Sequence, residues 1–596
     1  MSIKSDDLTI PGRLRILAAT SDERTAIQVM PDGGRLTFRT WDQRSDEAAH
    51  GLAALGVRPG DRVLLPVATD WLGYAVAYAA VHKAGATAVP VLASHGEEHV
   101  RWAQASAAAV GVISDQPVAG CGGWARSLTE LEDGGNELEV GERAPLNVTV
   151  GARDEAQILF TSGTTGRPKG VVATHENILR ALCGPLVGSA KTVLHSVPAA
   201  TNAGQGLLVQ PLGTTPHTVL VLPEFRAEEF LEAIEKHQPT DIVLVPAMAI
   251  ALLRAQETAK RDLSCVRMVR TMSAPISPAS LERLDAMFPD AVTVNMYAST
   301  ESWPARVRTR FDPSRPASVG RPQGSTRVRI VDSTGSEAPA GVIGEVHLKA
   351  EGVAPRRYIG DPAASARVFL ADGWVRTGDV GHLDADGFLY LSDREDDIVI
   401  CGGLNISTLE VAAVLEDHPQ VTAAAAFGMP HDVLGQYVAA VVQTAGGLDM
   451  AALYEYARGR LGPAKAPRRI AVAAELPLTP AGKIAKSALP ALIQALAVRE
   501  RGLPEGGQTQ ELIGQIWAAV LDQPVTPASD FLDLGGTSLE AAEITVRVRR
   551  ELRKAAREED VYRAGSLAEY AQLVLAARPL EEAGDGPIKR LPRRTR

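Results

Sequence analysis

Along residues 1 to about 392, short strand-like runs alternate with segments of helical pattern. The strand-like runs Asp61–Val67 and Thr87–Val91 flank the helix-like Leu72–Ala84, and a second series of such runs extends from Thr192–Val197 to Val292–Asn295. Strands that alternate with helices pack as α/β layers around a mostly parallel sheet. The sequence therefore predicts a large α/β domain at the N-terminal end.

A different pattern begins near residue 395. From there to about residue 495 the sequence has the pattern of a small α+β unit, in which a helix at Ser407–Asp417 stands between β-rich runs. A polar stretch follows, and then a segment of almost purely helical pattern. We predict five segments: a large part (1–394), a small part (395–495), a linker (496–507), a helical domain (508–578) and a flexible basic tail (579–596).

The composition restricts the function classes. Of 596 residues, 22% are charged and 45% hydrophobic, which indicates a globular protein and excludes a disordered chain. A formal net charge of −10 disfavours general nucleic-acid binding. The four cysteines lack C-x-x-C spacing, the first residues lack the apolar core of a signal peptide, and charges interrupt apolar stretches such as Val67–Val91. We expect a cytoplasmic enzyme without nucleic-acid or membrane partners.

The strongest local motif is a loop that follows a hydrophobic strand, Ile158–Gly170 (ILFTSGTTGRPKG). Its glycines allow backbone N–H groups to approach an anion, while its hydroxyls and Lys169 add donors and positive charge. The spacing of glycine and lysine differs from that of the G-x-x-x-x-G-K-[ST] loop. The residues indicate a phosphate-binding loop of another kind, with a flexible surface loop as the alternative.

Further motifs follow this loop in order, and together they carry a resemblance. They are Tyr297–Glu301 (YASTE), Thr377–Asp379 (TGD), Asp393–Asp397 (DREDD), Gly402–Ile406 (GGLNI) and Pro480–Ile484 (PAGKI). With the loop, the series resembles the signature of the adenylate-forming superfamily, which includes acyl-CoA ligases, luciferases and the adenylation domains of nonribosomal peptide synthetases. The resemblance covers about residues 10–495. It implies a large α/β adenylation domain followed by a small α+β lid domain.

The resemblance implies that a carboxylate joins the α-phosphate of ATP and that pyrophosphate leaves. Thr300, Glu301 and Lys483 are the implied catalytic residues, and Glu301 is the implied Mg²⁺ ligand. Asp396 is the implied hinge of the lid, with a solvated charge in an acidic run as the alternative. The implied ATP-binding residues are Thr161, Ser162, Gly163, Thr164, Thr165, Gly166, Lys169, Tyr297, Thr300, Asp379, Arg394 and Lys483.

The helical segment near the C-terminal end carries its own motif, Asp530–Glu540 (DFLDLGGTSLE). Ser538 follows a Gly-Gly turn and opens a helical run, and a helix N-terminus favours an attached phosphate. The motif resembles the modification site of peptidyl and acyl carrier domains, which implies an all-α four-helix carrier. It also implies 4′-phosphopantetheine on Ser538, attached by a phosphopantetheinyl transferase. An interaction module with an incidental serine is the alternative.

The residues after the strand-like Thr192–Val197 bear on the acid that is activated. Adenylation domains for α-amino acids usually place an aspartate there, and Val197–Gly206 contains no acidic residue. A buried ammonium without a counter-charge is costly. The run Pro198–Asn202 is similar to the Pro-x-x-His-Asn of aryl-acid-activating enzymes, so we expect an aryl (benzoate-like) acid, with another non-amino carboxylic acid as a close second. The expected acyl pocket consists of His175, Asn202, Ser273, Ala274 and Pro275; for Asn202, a polar loop cap is an equally good interpretation.

The expected function is ATP-dependent adenylation of a carboxylic acid and its transfer as a thioester to the chain's own carrier, in natural-product (antibiotic) biosynthesis. The acyl group would then pass to a separate condensation or acyltransferase protein. One alternative is a CoA ligase whose appended carrier serves another activator, and another is an α-amino-acid-activating domain with an atypical pocket. A third, an interaction protein with a degenerate site, is disfavoured by the intact Lys169, Glu301, Asp379 and Lys483.

Overall fold

The protein is described from a computed structural model. The structure describes residues 8–67, 70–115, 120–133, 144–161, 168–182, 192–394, 397–401, 404–431, 435–444, 446–462, 464–479, 482–500, 507–521, 523–534, 536 and 538–579. The chain divides into two compact units. The first consists of Met1–Asp396 with Pro477–Ala485, and the second of Asp397–Leu476 with Lys486–Arg596. The loop that contains Lys483 therefore belongs to the first unit.

The first unit contains two sheets with helices packed on them. Its strands are β1 (Thr25–Val29), β2 (Arg35–Thr37), β3 (Arg62–Val67), β4 (Thr87–Leu92), β5 (Gly111–Ile113), β6 (Trp124–Arg126), β7 (Glu155–Thr161), β8 (Lys169–Thr174), β9 (Thr192–His195), β10 (Thr218–Val221), β11 (Asp241–Leu244), β12 (Met268–Thr271), β13 (Val292–Tyr297), β14 (Val307–Arg310), β15 (Ser318–Pro322), β16 (Thr326–Val331), β17 (Gly344–Ala350), β18 (Arg357–Tyr358), β19 (Val375–Leu383) and β20 (Leu389–Arg394). Its helices are α1 (Ile10–Thr20), α2 (Phe38–Ala54), α3 (Trp71–Lys83), α4 (Glu97–Ala107), α5 (Leu128–Asp133), α6 (His175–Leu179), α7 (Asn202–Val209), α8 (Ala227–His237), α9 (Pro246–Ala259), α10 (Pro278–Met287) and α11 (Pro362–Val368).

The strand order confirms the predicted α/β layers. A seven-stranded sheet has the order β18-β8-β7-β4-β3-β5-β6, and a thirteen-stranded sheet has the order β16-β17-β19-β20-β15-β14-β13-β12-β11-β9-β10-β1-β2. The pairs from β1 through β10, β9, β11 and β12 to β13 are parallel, as expected for strands separated by helices. Strands β14 to β17 follow one another without an intervening α-helix, and the pairs β14–β15 and β16–β17 are antiparallel. The expectation of mostly parallel sheet therefore holds for only part of this sheet.

Buried apolar side chains form the cores of the first unit, and a buried cation, Lys83, lies among them. The Lys83 side chain is fully buried at the end of α3, and its Nζ lies 2.7 Å from Asp42 Oδ1 and 2.8 Å from Asp46 Oδ2. Both acids lie on α2, which packs against α3. A buried charge is tolerated where opposite charges and hydrogen bonds compensate its desolvation. The ion pairs with Asp42 and Asp46 therefore compensate the desolvation of the Lys83 ammonium group.

The second unit begins with the α+β part that the sequence predicts as a lid. Its strands are β21 (Val399–Cys401), β22 (Leu404–Ile406), β23 (Val421–His431), β24 (Gly435–Thr444) and β25 (Arg469–Val472), and its helices are α12 (Thr408–Glu416), α13 (Met450–Leu461) and α14 (Leu489–Glu500). The strands have the order β22-β21-β24-β23, and β25 pairs with β24 in parallel. Strands β22 and β25 are short, with three and four residues.

The carrier part of the second unit contains α15 (Gly507–Leu521), α16 (Ser538–Leu552), α17 (Glu558–Arg563) and α18 (Leu567–Ala576). This arrangement confirms the predicted helical carrier. Its core is centred on Trp517, whose ring centroid lies 5.6 Å from that of Phe531 and 5.6 Å from that of Tyr570. Aromatic pairs at such distances add to the stability gained from burial. The helix α16 begins at Ser538, as its sequence predicts.

The helices of the described residues are short, and the longest, α2, has 17 residues. None of them is long and apolar enough to cross a membrane.

Candidate active site

The strand–loop–strand around the phosphate motif places two predicted site residues opposite each other. Strands β7 and β8 are antiparallel, and Thr161 at the end of β7 pairs with Lys169 at the start of β8. The Lys169 Nζ lies 5.3 Å from the ring centroid of Tyr358. Ser162, Gly163, Thr164, Thr165 and Gly166 lie outside the described residues. The described ends of the loop thus bring a hydroxyl and an ammonium group to its mouth.

Glu301 receives hydrogen bonds from two hydroxyl groups of other segments. The Thr161 Oγ1 donates to Glu301 Oε1 over 3.3 Å, and the Tyr358 hydroxyl donates to the same oxygen over 3.1 Å. These bonds fix the carboxylate beside the mouth of the phosphate loop. Carboxylate and hydroxyl oxygens are hard donors of the kind that Mg²⁺ prefers, so the group fits the cation that the sequence implies. Tyr358 was not among the site residues predicted from the sequence. It reaches Glu301 because the short strand β18 pairs with β8, and this pairing is not visible in the sequence.

Asp379 lies at the centre of a second cluster. The Tyr297 hydroxyl donates to Asp379 Oδ2 over 2.5 Å, and Arg394 Nε lies 3.2 Å from Asp379 Oδ1. The antiparallel strands β19 and β20 place Asp379 directly opposite Arg394. Burial raises the pKa of Asp379, while the Tyr297 hydrogen bond and the Arg394 charge act in the opposite direction. Three of the predicted ATP-binding residues are therefore assembled into one hydrogen-bonded group.

The Lys483 loop is a tight turn held by backbone hydrogen bonds. Thr479 N donates to Lys483 O over 2.6 Å, and Gly482 N donates to Thr479 O over 2.8 Å. Gly482 has φ +75°, a backbone conformation that favours glycine, and a Cβ there would also lie close to Val245 Cγ2, at 3.0 Å. Pro480 lies outside the described residues. The turn thus fixes the backbone that carries the predicted catalytic lysine.

The ammonium group of Lys483 interacts with the two clusters described above. Lys483 is exposed to solvent. Partial desolvation lowers the pKa of Lys483, the Arg394 charge lowers it further, and Glu301 and Asp379 raise it. Lys483 is thus within electrostatic reach of the two acids predicted to bind magnesium and ribose. The structure brings these residues together although they are far apart in the sequence.

On the acyl side, Thr201 and Asn202 have different roles from each other. Thr201 Oγ1 accepts the Gly204 N–H over 3.0 Å and is the N-cap of α7. Asn202 is the first residue of the helix, and its Oδ1 accepts a hydrogen bond of 3.1 Å from Arg356 Nη1. The cap interpretation therefore applies to Thr201 and not to Asn202. Arg356, which belongs to none of the predicted motifs, is 3% exposed and also donates to Thr300 O over 2.8 Å.

The other residues expected at the acyl pocket occupy different settings. His175 is buried, its Nδ1 accepts the Ile10 N–H over 3.3 Å, and its ring packs on that of His82 at 5.0 Å. Burial lowers the pKa of His175 well below its usual range. These contacts attach α1 to the core, and the pocket role of His175 stays a prediction. Ser273 has φ +77°, a strained conformation for a non-glycine residue and one that is common at functional sites. Ala274 and Pro275 follow it in the loop after β12.

Further predicted features fall wholly or partly outside the described residues. Asp396, the predicted hinge, is one of them, and so are Gly402 and Gly403 of the GGLNI motif. Ser538 is described as the first residue of α16, and nothing is described of its side chain. A helix start is the position that favours a phosphodiester, and Glu540 is the acidic residue in the first turn. The backbone at Ser538 therefore fits the attachment that its motif implies.

Within the second unit, the lid contacts the carrier through residues of β25 and α13. Arg469 Nη2 donates to Gly565 O over 3.0 Å, Arg468 Nη2 donates to Tyr562 O over 3.4 Å, and Arg468 Nη2 lies 3.8 Å from Asp530 Oδ2. The Arg563 guanidinium carbon of the carrier lies 4.4 Å from the ring centroid of Tyr454 of the lid. Cations thus reach across from both sides. We call this group the lid–carrier contact.

The fold and the two acidic clusters define an ATP-dependent ligase of the adenylate-forming class, joined to a carrier. The model for AMP-binding enzymes matches residues 15–358, that for the AMP-binding enzyme C-terminal domain matches 410–483, and that for the phosphopantetheine attachment site matches 511–574. The chain belongs to the AMP-binding enzyme family and is an adenylation–carrier didomain. Enzymes of this family use ATP with Mg²⁺, and the carrier domain bears 4′-phosphopantetheine on a serine.

Several known proteins are similar to this chain. A feruloyl-CoA synthase from Amycolatopsis sp is 32% identical over 476 residues, which are 77% of this chain and 94% of that protein. Tyrocidine synthase 2 from Brevibacillus parabrevis is 27% identical over 571 residues, which are 94% of this chain and 16% of that protein. The solved structure of amide bond synthetase McbA from Marinactinospora thermotolerans has a TM-score of 0.70 at 27% identity and covers 81% of this chain and 99% of its own.

Proposed function

We propose that this enzyme adenylates a non-α-amino carboxylic acid, preferably an aryl acid, and transfers the acyl group as a thioester to 4′-phosphopantetheine on Ser538 of its own carrier. The observation that carries the proposal is the shared electrostatic environment of Lys483, Arg394, Glu301 and Asp379 in one compact unit. Cations and a metal-binding acid in one place are what the meeting of a carboxylate and a phosphate requires.

The proposed roles follow from the chemistry of each group. Lys483 neutralises the charge that develops between the attacking carboxylate and the α-phosphate, and Thr300 donates to that phosphate. Glu301 holds Mg²⁺, with Thr161 and Tyr358 orienting its carboxylate. Asp379, fixed by Tyr297 and Arg394, accepts hydrogen bonds from the ribose hydroxyls. Groups preorganised in this way contribute about 2.7–4 kcal/mol each to transition-state stabilisation.

The surroundings of Asn202 support an acid without an α-ammonium group. The charged side chain that contacts Asn202 is a guanidinium, that of Arg356. An ammonium placed at this position would meet a like charge, which is unfavourable in a buried site. The similarity to a feruloyl-CoA synthase supports an aryl acid, since that name denotes an aromatic acyl group. A further non-amino acid remains the second choice.

The carrier domain supports intramolecular transfer over release as a free CoA ester. A tethered thiol reaches an effective concentration of about millimolar for a short linker. The phosphopantetheine supplies that thiol when attached. The similarity to CoA ligases supports the alternative in which free CoA accepts the acyl group. We further propose that a phosphopantetheinyl transferase modifies the chain in the cytoplasm and that a separate condensation or acyltransferase protein receives the acyl group.

An exchange and loading experiment tests the proposal. The chain is first converted to its holo form with a phosphopantetheinyl transferase and CoA. ATP–pyrophosphate exchange is then measured with benzoate, cinnamate, ferulate, isophthalate, hexanoate and the proteinogenic α-amino acids, and acyl transfer is followed by intact mass. We expect exchange with aryl acids and an acyl mass that is lost in Ser538→Ala. Exchange that is fastest with α-amino acids would contradict the substrate class, and faster transfer to free CoA than to the carrier would favour the alternative.

A further inference from the structure

Arg356 is a buried cation whose hydrogen-bond partners are both neutral. It precedes β18 directly, is 3% exposed, and donates through Nη1 to the backbone carbonyl of Thr300 and to the amide oxygen of Asn202. Its Nε is also buried and has no hydrogen-bond partner among the described residues. The guanidinium therefore spans the distance between the predicted catalytic threonine and the predicted acyl pocket without using all its donors.

Two other cations of the same unit, one fully buried and one largely buried, have acidic partners. Lys83 lies between Asp42 and Asp46, and Arg270 Nη2 lies 3.3 Å from Asp241 Oδ2. In the described ranges, no carboxylate lies within ion-pairing distance of Arg356, and Glu301 acts on it only at longer range. Burial lowers the pKa of Arg356 to about 10, so the side chain is still charged at neutral pH. A buried charge without compensation is costly, and a bound anion removes that cost.

We propose that Arg356 is the binding residue for a carboxylate of the acid substrate. This inference rests on the proposed function and names the group that recognises its substrate. A guanidinium presents parallel N–H donors that match the two oxygens of a carboxylate. The contact with Asn202 places it at the acyl side, whereas Lys169 provides a separate cation at the phosphate loop. The carboxylate is either the reacting group or a second acid group on the same molecule.

The test compares Arg356→Met with Arg356→Lys in the holo chain, and Arg270→Met is the matched control. Arg270 is a largely buried arginine of the same unit and makes an ion pair with Asp241. Exchange is measured with benzoate and isophthalate, and KM is determined separately for the acid and for ATP. We expect Arg356→Met to raise the KM for the acid by about 30-fold or more, because one partner of a buried charge pair is lost. The KM for ATP should rise by less than about twofold. We expect Arg356→Lys to restore part of the difference and Arg270→Met to leave the acid KM unchanged.

The two substrates distinguish the two sources of the carboxylate. If Arg356 holds the reacting group, benzoate and isophthalate lose affinity equally; if it holds a second acid group, isophthalate alone does. An unchanged acid KM in Arg356→Met, or a rise in the ATP KM instead, would overturn the proposal, the latter by making Arg356 a phosphate ligand. If Arg356→Met does not fold, the acid KM of Arg356→Lys replaces it. In addition, the increase in melting temperature of the wild type is compared between benzoate and benzamide, which lacks the negative charge. A wild type that exchanges with none of the acids would contradict the proposed function itself.

Discussion

The active-site clusters of the first unit and the lid–carrier contact of the second both depend on arginines, and they differ in what those arginines meet. In the first, Arg394 meets the carboxylate of Asp379 and Tyr297 completes the group. In the second, Arg468 and Arg469 donate to backbone carbonyls over 3.4 and 3.0 Å, and the carboxylate nearest to Arg468, that of Asp530, lies 3.8 Å away, beyond hydrogen-bond distance. A carboxylate fixed by several partners resists displacement, whereas hydrogen bonds to surface carbonyls are exchanged readily for water. We infer that the active-site clusters hold a fixed geometry, whereas the lid–carrier contact can open and release the carrier.

The largest expected effect comes from removing the lysine that the first site surrounds. Lys483→Ala should lower the rate of adenylate formation by about 100- to 1,000-fold, because a positioned charge aimed at the transition state is lost. Pyrophosphate exchange measures this rate. Addition of 4′-phosphopantetheine to Ser538, read by intact mass, should stay at the wild-type level. Exchange near the wild-type rate would contradict the catalytic role of Lys483.

A smaller effect is expected from the residue that orients Glu301. Tyr358→Phe removes one of the two hydroxyl donors to Glu301 Oε1 and keeps the ring beneath Lys169. The loss of one hydrogen bond to a carboxylate costs about 1.5–3 kcal/mol, or roughly 10- to 150-fold in exchange. The effect should shrink as Mg²⁺ is raised. An equal loss at every Mg²⁺ concentration would contradict a role through Glu301.

The pH dependence of pyrophosphate exchange tests the role of the Lys483 charge in the first site while its side chain stays in place. The pKa of Lys483 lies below the ordinary lysine value of 10.5, because partial desolvation and the Arg394 charge disfavour its charged form. In the proposed mechanism the active form of Lys483 is the ammonium, so exchange should fall as pH rises through this lowered pKa. Lys483→Arg should retain its charge and move this alkaline limb to higher pH, at reduced rate. An alkaline limb that stays in place in Lys483→Arg would assign it to another group.

The smallest effect is expected at the lid–carrier contact. Arg468→Ala removes the hydrogen bond to Tyr562 O and the partly exposed ion pair with Asp530, which together contribute about 1 kcal/mol. Single-turnover loading of Ser538 should therefore change by about fivefold or less, while pyrophosphate exchange is unaffected. Arg460→Ala, which removes an exposed ion pair with Asp417 elsewhere on the lid, is the control. A loss of exchange in Arg468→Ala would show that this contact also serves adenylation.

Much of the fold follows from local patterns. Helix α12 is observed at Thr408–Glu416, within the predicted Ser407–Asp417, and α16 begins at Ser538. Within Arg327–Leu348 the sequence indicates a strand, a turn and a second strand, as observed for β16 and β17, whereas short strands such as β14 and β15 give no periodic signal of their pairing partners. The aromatic cluster around Trp517 was missed for a similar reason, since its members come from three separate segments.

The motifs and their order could be recognised from the sequence alone. Glycine-rich turns, Lys169 at the end of the phosphate loop and Ser538 after Gly-Gly are local features of the chain. Tertiary structure decided which of these groups meet and what else joins them. Arg356 and Asn202 are 154 positions apart, and Tyr358 and Glu301 are 57 apart. Such contacts arise only when sheets and loops pack, so a single chain's pattern carries no trace of them. The physical reason is that the periodicity of apolar residues shows which side chains are buried. The chemistry of a binding site depends instead on which side chains from distant parts of the sequence lie next to each other.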